Sequence, residues 1–209
     1  MGNDNAGSPD DDSIETERRF LVRDASIVEG SSWKLITQAY YPAPDGHAVR
    51  VRLVQHPQDD GWVGETAFIG VKGPRSGGQR WEEEFPLKKL ADAKALIQAS
   101  PDVVQKRRYS VIDSDATWEV DIFLGDNIGL VIAELEGKED TESSEADQSP
   151  PSPKKDNWIW AVEPPAWTLR EITFDTNYNN ENLAVRPVRR WAIDPEPDAD
   201  DYDADWLDG

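Results

Sequence analysis

Charged side chains of both signs recur at alternate positions through this sequence, and they come mostly in like-sign sets. Glu15 and Glu17 precede Arg19. Arg50 is followed by Arg52, Arg80 by Glu82 and Glu84, Lys106 by Arg108, Glu119 by Asp121, and Glu134 by Glu136. In an extended strand, residues i and i+2 project from the same face, about 6.7 Å apart. Each set therefore shares a face, while Val49, Val51, Leu53, Val120, Ile122, Ala133 and Leu135 take the opposite one. Like charges side by side cost energy unless something of opposite sign neutralises them. Converging carboxylates suit hard divalent cations such as Mg²⁺ or Mn²⁺, which take oxygen ligands and keep some water. Arginine forks suit phosphate oxygens. Together, cations and arginines stabilise charge developing on a transferring phosphoryl group, with water as the natural nucleophile.

These side chains need strands to carry them. Period-two alternation bounded by Gly, Pro, Asp and Ser predicts strands near 14–22, 34–41, 47–55, 63–72, 79–87, 103–112, 116–124 and 129–136, with a short one near 169–174. Residues 88–99 predict a helix, with Leu90, Ala93 and Ile97 on one face and Pro101 just past its end. The segment 73–78 (GPRSGG) reads as a hairpin loop, and no helix follows it as a P-loop requires. The fold class is mainly β (α+β), with eight antiparallel strands in a closed barrel or strongly curved sheet. In an open sheet the charged face would be the wet one. But helix 88–99 and the apolar alternate positions need the uncharged face for packing. In a closed barrel that turns the charges inward, where bare charges are costly. The expected interior is a water-filled tunnel for a polyanion and divalent cations.

Composition narrows the function further. Asp and Glu total 42 against 22 Lys and Arg, a formal charge of −20. Residues 1–13 hold four acids and no base, 194–209 eight acids and no base, and 137–157 six acids and three bases. The other 159 residues carry only −5. The three acidic stretches read as solvated chain with too little apolar surface to order. This organises the chain as a tail 1–13, a domain 14–193 with an acidic insertion at about 137–164, and a tail 194–209. Most tryptophans are expected in packing, with Trp206 exposed in the tail. There is no cysteine, and there are only two histidines, His47 and His56. Disulfides, thiolate sites and three-histidine zinc are excluded, and a histidine triad is disfavoured. No run reaches the ~18 apolar residues of a membrane span. The acidic start is neither a secretory signal nor a transit peptide. General nucleic-acid binding is disfavoured by the charge. The expected protein is cytoplasmic, a monomer or homodimer, with neither nucleic acid nor membrane as partner.

The charged strands also resemble a known family. IETERRFLV (14–22) resembles the EIERKFLV opening of the CYTH domain, the fold of the triphosphate tunnel metalloenzymes. TQAYY (37–41) is similar to the family's QGY strand. VRVRL (49–53), VKG (71–73), RWEEEF (80–85), VQKRRY (104–109), EVDIFLG (119–125), GLVIAELE (129–136) and NYNNENLA (177–184) follow in the family's order. The resemblance spans 14–136 and 165–184. It implies an eight-stranded tunnel that binds a triphosphate and depends on Mg²⁺ or Mn²⁺. The short bacterial members it resembles most are mainly inorganic triphosphatases. Other members act on nucleoside or thiamine triphosphates, cap RNA or cyclise ATP, and a non-catalytic polyphosphate or nucleotide binder is a further alternative.

Position by position, Glu15, Glu17, Glu134 and Glu136 match the family's metal-binding glutamates. Glu82, Glu84, Glu119 and Asp121 match acids that hold a second metal or orient water. Arg50, Arg52, Lys72, Arg80 and Arg108 match the phosphate-gripping bases, joined by Arg19 where the family has lysine. Lys106 and Tyr40 match a catalytic pair in which a lysine of lowered pKa, beside arginines, accepts a proton from water with help from the tyrosine. Two departures stand out. Arg19 changes the reach and fork geometry of the ExExK position. NYNNENLA lacks the basic residue many members carry there, with Arg186 as a substitute candidate. The insertion at 137–164 is expected to be a loop.

Overall fold

The fold is described from a computed structural model, over residues 14–58, 61–74, 79–114, 116–137 and 158–193. The tails 1–13 and 194–209 with Trp206, residues 75–78 of the glycine-rich loop and residues 138–157 of the insertion lie outside the described residues. Nine strands form one antiparallel sheet: β1 (Ile14–Val22), β2 (Trp33–Tyr41), β3 (Ala48–Gln58), β4 (Gly61–Lys72), β5 (Gln79–Pro86), β6 (Val103–Asp113), β7 (Ala116–Phe123), β8 (Val131–Glu136) and β9 (Thr168–Glu171). Their order is β5-β4-β3-β2-β6-β7-β8-β1-β9, and a pairing of β1 with β5 closes the first eight into a barrel. The closing seam is short. Ile14, Glu15 and Thr16 pair with Trp81, Arg80 and Gln79, and β9 pairs with β1 further along, at Phe20 to Val22. The eight barrel strands lie where alternation predicted them. The ninth is shorter than expected, ending at Glu171.

The barrel is packed mainly from outside. Val51, Leu53 and Ala67 face outward from β3 and β4, and α1 (Leu90–Ala99) covers them with Ala93, flanked by Leu90 and Ile97. The helix begins two residues later than predicted. Leu87 still donates its N–H to the Ala67 carbonyl at 2.8 Å, tying the chain to β4 before it can turn. A second outer core joins Phe20, Tyr109, Val111, Trp118, Val120, Ala133 and Leu135. Fully buried Trp118 meets Phe20 and Trp167 edge to face, with centroids 5.7 and 5.6 Å apart. Fully buried Ile159 of the short helix α2 (Trp158–Ala161) packs into the same core. The described end of the expected insertion is therefore part of the outer wall. Arg18 secures it by donating to the Ile159 and Val162 carbonyls while pairing with Glu171 at 2.9 Å.

The third core lies inside one end of the barrel. Leu21, Tyr40, Val104, Phe123 and Ile132 meet Ile172, Tyr178 and Leu183 from the segment that runs through β9 into α3 (Asn180–Val185). This apolar plug closes that end, so the charged interior is a cup. Among the described residues no helix is long and apolar enough to cross a membrane. Leu183 is fully buried in the plug. Leu183→Ala is expected to cost about 2–5 kcal/mol, read from chemical denaturation.

Candidate active site

Strand register places the charged sets on one inner surface. Glu17 sits opposite Glu136, Arg19 opposite Glu134, Glu119 opposite Glu134, and Arg108 opposite Asp121. Tyr40 pairs with Arg50, Gln38 with Arg52, Lys72 with Glu82, and Glu15 with Arg80. Cross-strand partners share a face, so all sixteen residues singled out in the sequence point inward together. The cavity wall is made by Glu15, Glu17 and Arg19 of β1, Tyr40 of β2, Arg50 and Arg52 of β3, and Lys72 of β4. Arg80 of β5, Arg108 of β6 and Glu134 and Glu136 of β8 complete its barrel part.

The remaining predicted residues, Glu82, Glu84, Lys106, Glu119 and Asp121, share the inner face without lining that cavity. Glu82 binds Arg50 and Lys72, and Glu84 accepts from Arg50 at 2.8 Å and lies 3.3 Å from Arg52. Lys72 also holds Glu15 at 2.9 Å. Glu15 and Glu82 are hydrogen-bonded to each other. Burial pushes both upward, but Lys72, that bond and Arg50 bring Glu15 well below the carboxylate range, and Glu82 stays raised. On the opposite side Arg108 is the hub. Its Nε and Nη2 donate to Asp121 at 2.7 and 2.6 Å, and it also binds Glu119 and Glu134, with Glu136 at 3.9 Å. Burial alone would raise Glu134, but Arg108, Lys106 and Arg19 hold it down to about 2.

Lys106 lies beneath this hub. It is fully buried, pairs with fully buried Asp121, and has its Nζ 5.4 Å from the centre of the Phe123 ring. Its pKa is lowered, chiefly by burial and next by Arg108, so desolvation outweighs the like-charge effect expected from sequence. Tyr40 is in the wall, and burial raises its phenol, which therefore stays protonated.

Sequence reasoning missed several participants. Asn179, Asn180 and Glu181 form part of the cavity wall, and Glu181 accepts from Arg80 at 2.6 Å. NYNNENLA marked the segment, but only the fold of the chain behind β9 brings it to the barrel. Lys34 lies 3.7 Å from Glu119, and Gln38 accepts from Arg52 Nε at 2.8 Å. Arg186 caps the far end of α3 and is not among the cavity-lining residues. Gly70 lets Arg50 cross its strand, since a Cβ there would stand 3.2 Å from Arg50 Nε.

Two features suit ionic guests. Gln38 Nε2, Arg50 Nε and Arg19 Nε are buried donors without a hydrogen-bond partner, which a polyanion's oxygens could satisfy. Glu119, Glu134 and Glu136 each offer an oxygen, all within 4.8 Å of one another. A carboxylate-only set of this kind fits a hard divalent cation, and each carboxylate retains lone pairs beyond those used by Arg108.

No family model matches the chain. An inorganic triphosphatase of Acetivibrio thermocellus is 28% identical over 179 residues, covering 85% of this chain and 97% of that protein. The solved structure of the inorganic triphosphatase NE1496 superposes with a TM-score of 0.50 at 25% identity, covering 82% of this chain and 94% of that one. A second structure, described as hypothetical protein NE1496, gives 0.51 at 25% identity, covering 82% and 97%. The chain is thus similar, along most of its length, to two inorganic triphosphatases. The closed eight-stranded barrel is the fold that the family resemblance implied.

In this barrel Arg108 compensates several buried carboxylates at once. Arg108→Met is expected to destabilise the protein by about 3–5 kcal/mol at neutral pH, because it strands buried charge. The pH dependence has a definite sign. Glu134 is held low in the fold, so its contribution is present above the ordinary value of 4.5 and is lost as pH falls towards about 2. Denaturant titrations across that range should show the loss in the unmodified protein and a smaller one in Arg108→Met.

Proposed function

We propose that this protein hydrolyses inorganic triphosphate to diphosphate and phosphate inside the barrel, with Mg²⁺ or Mn²⁺ as cofactor. The observation that carries the reading is the inward, closed arrangement of bases and acids around one cavity. The 28% identity to an inorganic triphosphatase over nearly that enzyme's whole length supports it. Among the described residues Tyr40 is the one aromatic side chain in the cavity wall, so the wall offers little surface for stacking a nucleobase or thiazole ring. This favours a bare triphosphate over nucleoside or thiamine triphosphates.

The division of labour follows from the wall. Arg50, Arg52, Lys72, Arg80 and Arg108 hold phosphate oxygens, and the unpartnered Arg50 Nε adds a donor. Glu119, Glu134 and Glu136 would hold the cation, with Glu15 and Glu17 as further acids of the wall. The bound cation would supply Lewis-acid stabilisation of charge at the phosphoryl oxygens. Fixed arginines around the terminal phosphoryl group stabilise the same charge without reorganising. Tyr40, kept protonated, donates from the wall. Lys106 is assigned the proton of the attacking water, a role that requires its amine to leave Asp121.

Phosphate release from inorganic triphosphate should depend on added Mg²⁺ or Mn²⁺, stop with chelator and exceed release from ATP or thiamine triphosphate. Glu134→Gln is expected to lower kcat by about 100-fold or more. No release above that variant at any pH from neutral to alkaline rejects the reading. A kcat–pH profile separates the roles of Lys106. A base at Lys106 must be neutral, so kcat is expected to rise towards alkaline pH; loss of that rise in Lys106→Ala supports the base, whereas an unchanged profile at lower kcat makes Lys106 a brace for Asp121 and Arg108.

A further inference from the structure

Arg19 carries the positive charge of the β1 set, yet its fork is directed at the polypeptide. Its Nη1 donates to the Tyr178 carbonyl at 3.1 Å. Its Nη2 donates to the Thr173 carbonyl at 3.2 Å and to Asn179 Oδ1 at 2.9 Å. Its main chain is tied to the same segment. Arg19 N–H donates to Thr173 Oγ1 at 3.0 Å, and Ile172 N–H donates to the Arg19 carbonyl at 2.8 Å. Arg19 is only 2% exposed, and its Nε lies 3.4 Å from Glu17. The segment it holds leads directly into Asn179, Asn180 and Glu181 of the cavity wall.

We infer that Arg19 is a positioning residue that latches residues 173–179 against the barrel, fixing the part of the cavity wall made by Asn179, Asn180 and Glu181. The inference rests on the triphosphate reading for its kinetic consequence but not for its structural one. A planar fork reaches two carbonyls and an amide at once, whereas a lysine ammonium is a single compact charge on a flexible stem. The arginine at this position therefore sets where the cavity ends. Glu181 is a link in the same structure, since its bond to Arg80 joins α3 to a phosphate-facing base. A loosened segment lets that base drift, which weakens substrate binding more than it slows the chemistry.

The test compares the full chain with Arg19→Lys and Asn179→Ala. Hydrogen–deuterium exchange of peptides covering 172–185 is measured on the free proteins, and KM and kcat are measured with inorganic triphosphate. Arg19→Lys is expected to speed exchange in that segment by about tenfold or more, while peptides from β3 and β4 stay unchanged. KM should rise about tenfold, with kcat held within about threefold. Asn179→Ala, which removes one acceptor and leaves Arg19 in place, should move exchange in the same direction by less. Unchanged exchange at 172–185 in Arg19→Lys overturns the latch. So does a fall in kcat with KM unchanged, which would mark Arg19 as a transition-state contact. If the unmodified protein releases no phosphate, the triphosphate reading fails, and the exchange experiment still decides the latch.

Discussion

The constraint that governs this molecule is the cost of keeping many charges inside a barrel. An isolated buried ion is prohibitive, and a buried pair breaks even only with good geometry and satisfied hydrogen bonds. The barrel meets that cost by register. Antiparallel pairing sets Arg108 across from Asp121, Lys72 across from Glu82 and Arg19 across from Glu134, while the like pairs Glu17/Glu136 and Glu119/Glu134 are met from the side by Arg19 and Arg108. Arg108 shows the arrangement at its densest, binding acids from β7 and β8 while Lys106 supports Asp121 from below. The same pairing makes the interior tolerable, and under the proposed function it would exchange partners for phosphate oxygens and a divalent cation.

Much of the fold was legible because it rests on period-two alternation. Val49, Val51 and Leu53 between Arg50 and Arg52 fix which face of β3 is apolar, and the structure covers that face with α1 as the pattern of Leu90, Ala93 and Ile97 required. The inward sets were legible for the same reason. What alternation could not show was depth. Lys106 and Arg108 look equivalent in sequence, two positions apart on one face, yet Arg108 reaches the cavity and Lys106 lies under it against Phe123. That difference depends on where the apolar plug ends, and the plug is completed by Ile172, Tyr178 and Leu183 from the far end of the chain. Asn179, Asn180 and Glu181 were illegible as wall residues for the same reason, since a short irregular segment has no periodicity to give its orientation.

The two kinds of interior divide the barrel's work. The plugged end contributes burial and rigidity, and the charged end contributes chemistry. Tyr40 marks their boundary, belonging both to the apolar plug and to the cavity wall. Gly70 serves the charged end in a different way, as the one inward position on β4 where a missing side chain makes room for Arg50.

A barrel that is polar within must be greasy without. The outward sides of β3 and β4 and of β1, β6, β7 and β8 are apolar pavements, and each is roofed by a small appended piece of chain: α1 over one, α2 and the turn at Ala25–Val28 over the other. These roofs supply none of the described residues that line the cavity, yet shearing one away would bare a contiguous oily surface of the sort that drives self-association. What the outer face of the barrel shows to water is thus decided by these appended pieces, not by the charged wall inside it.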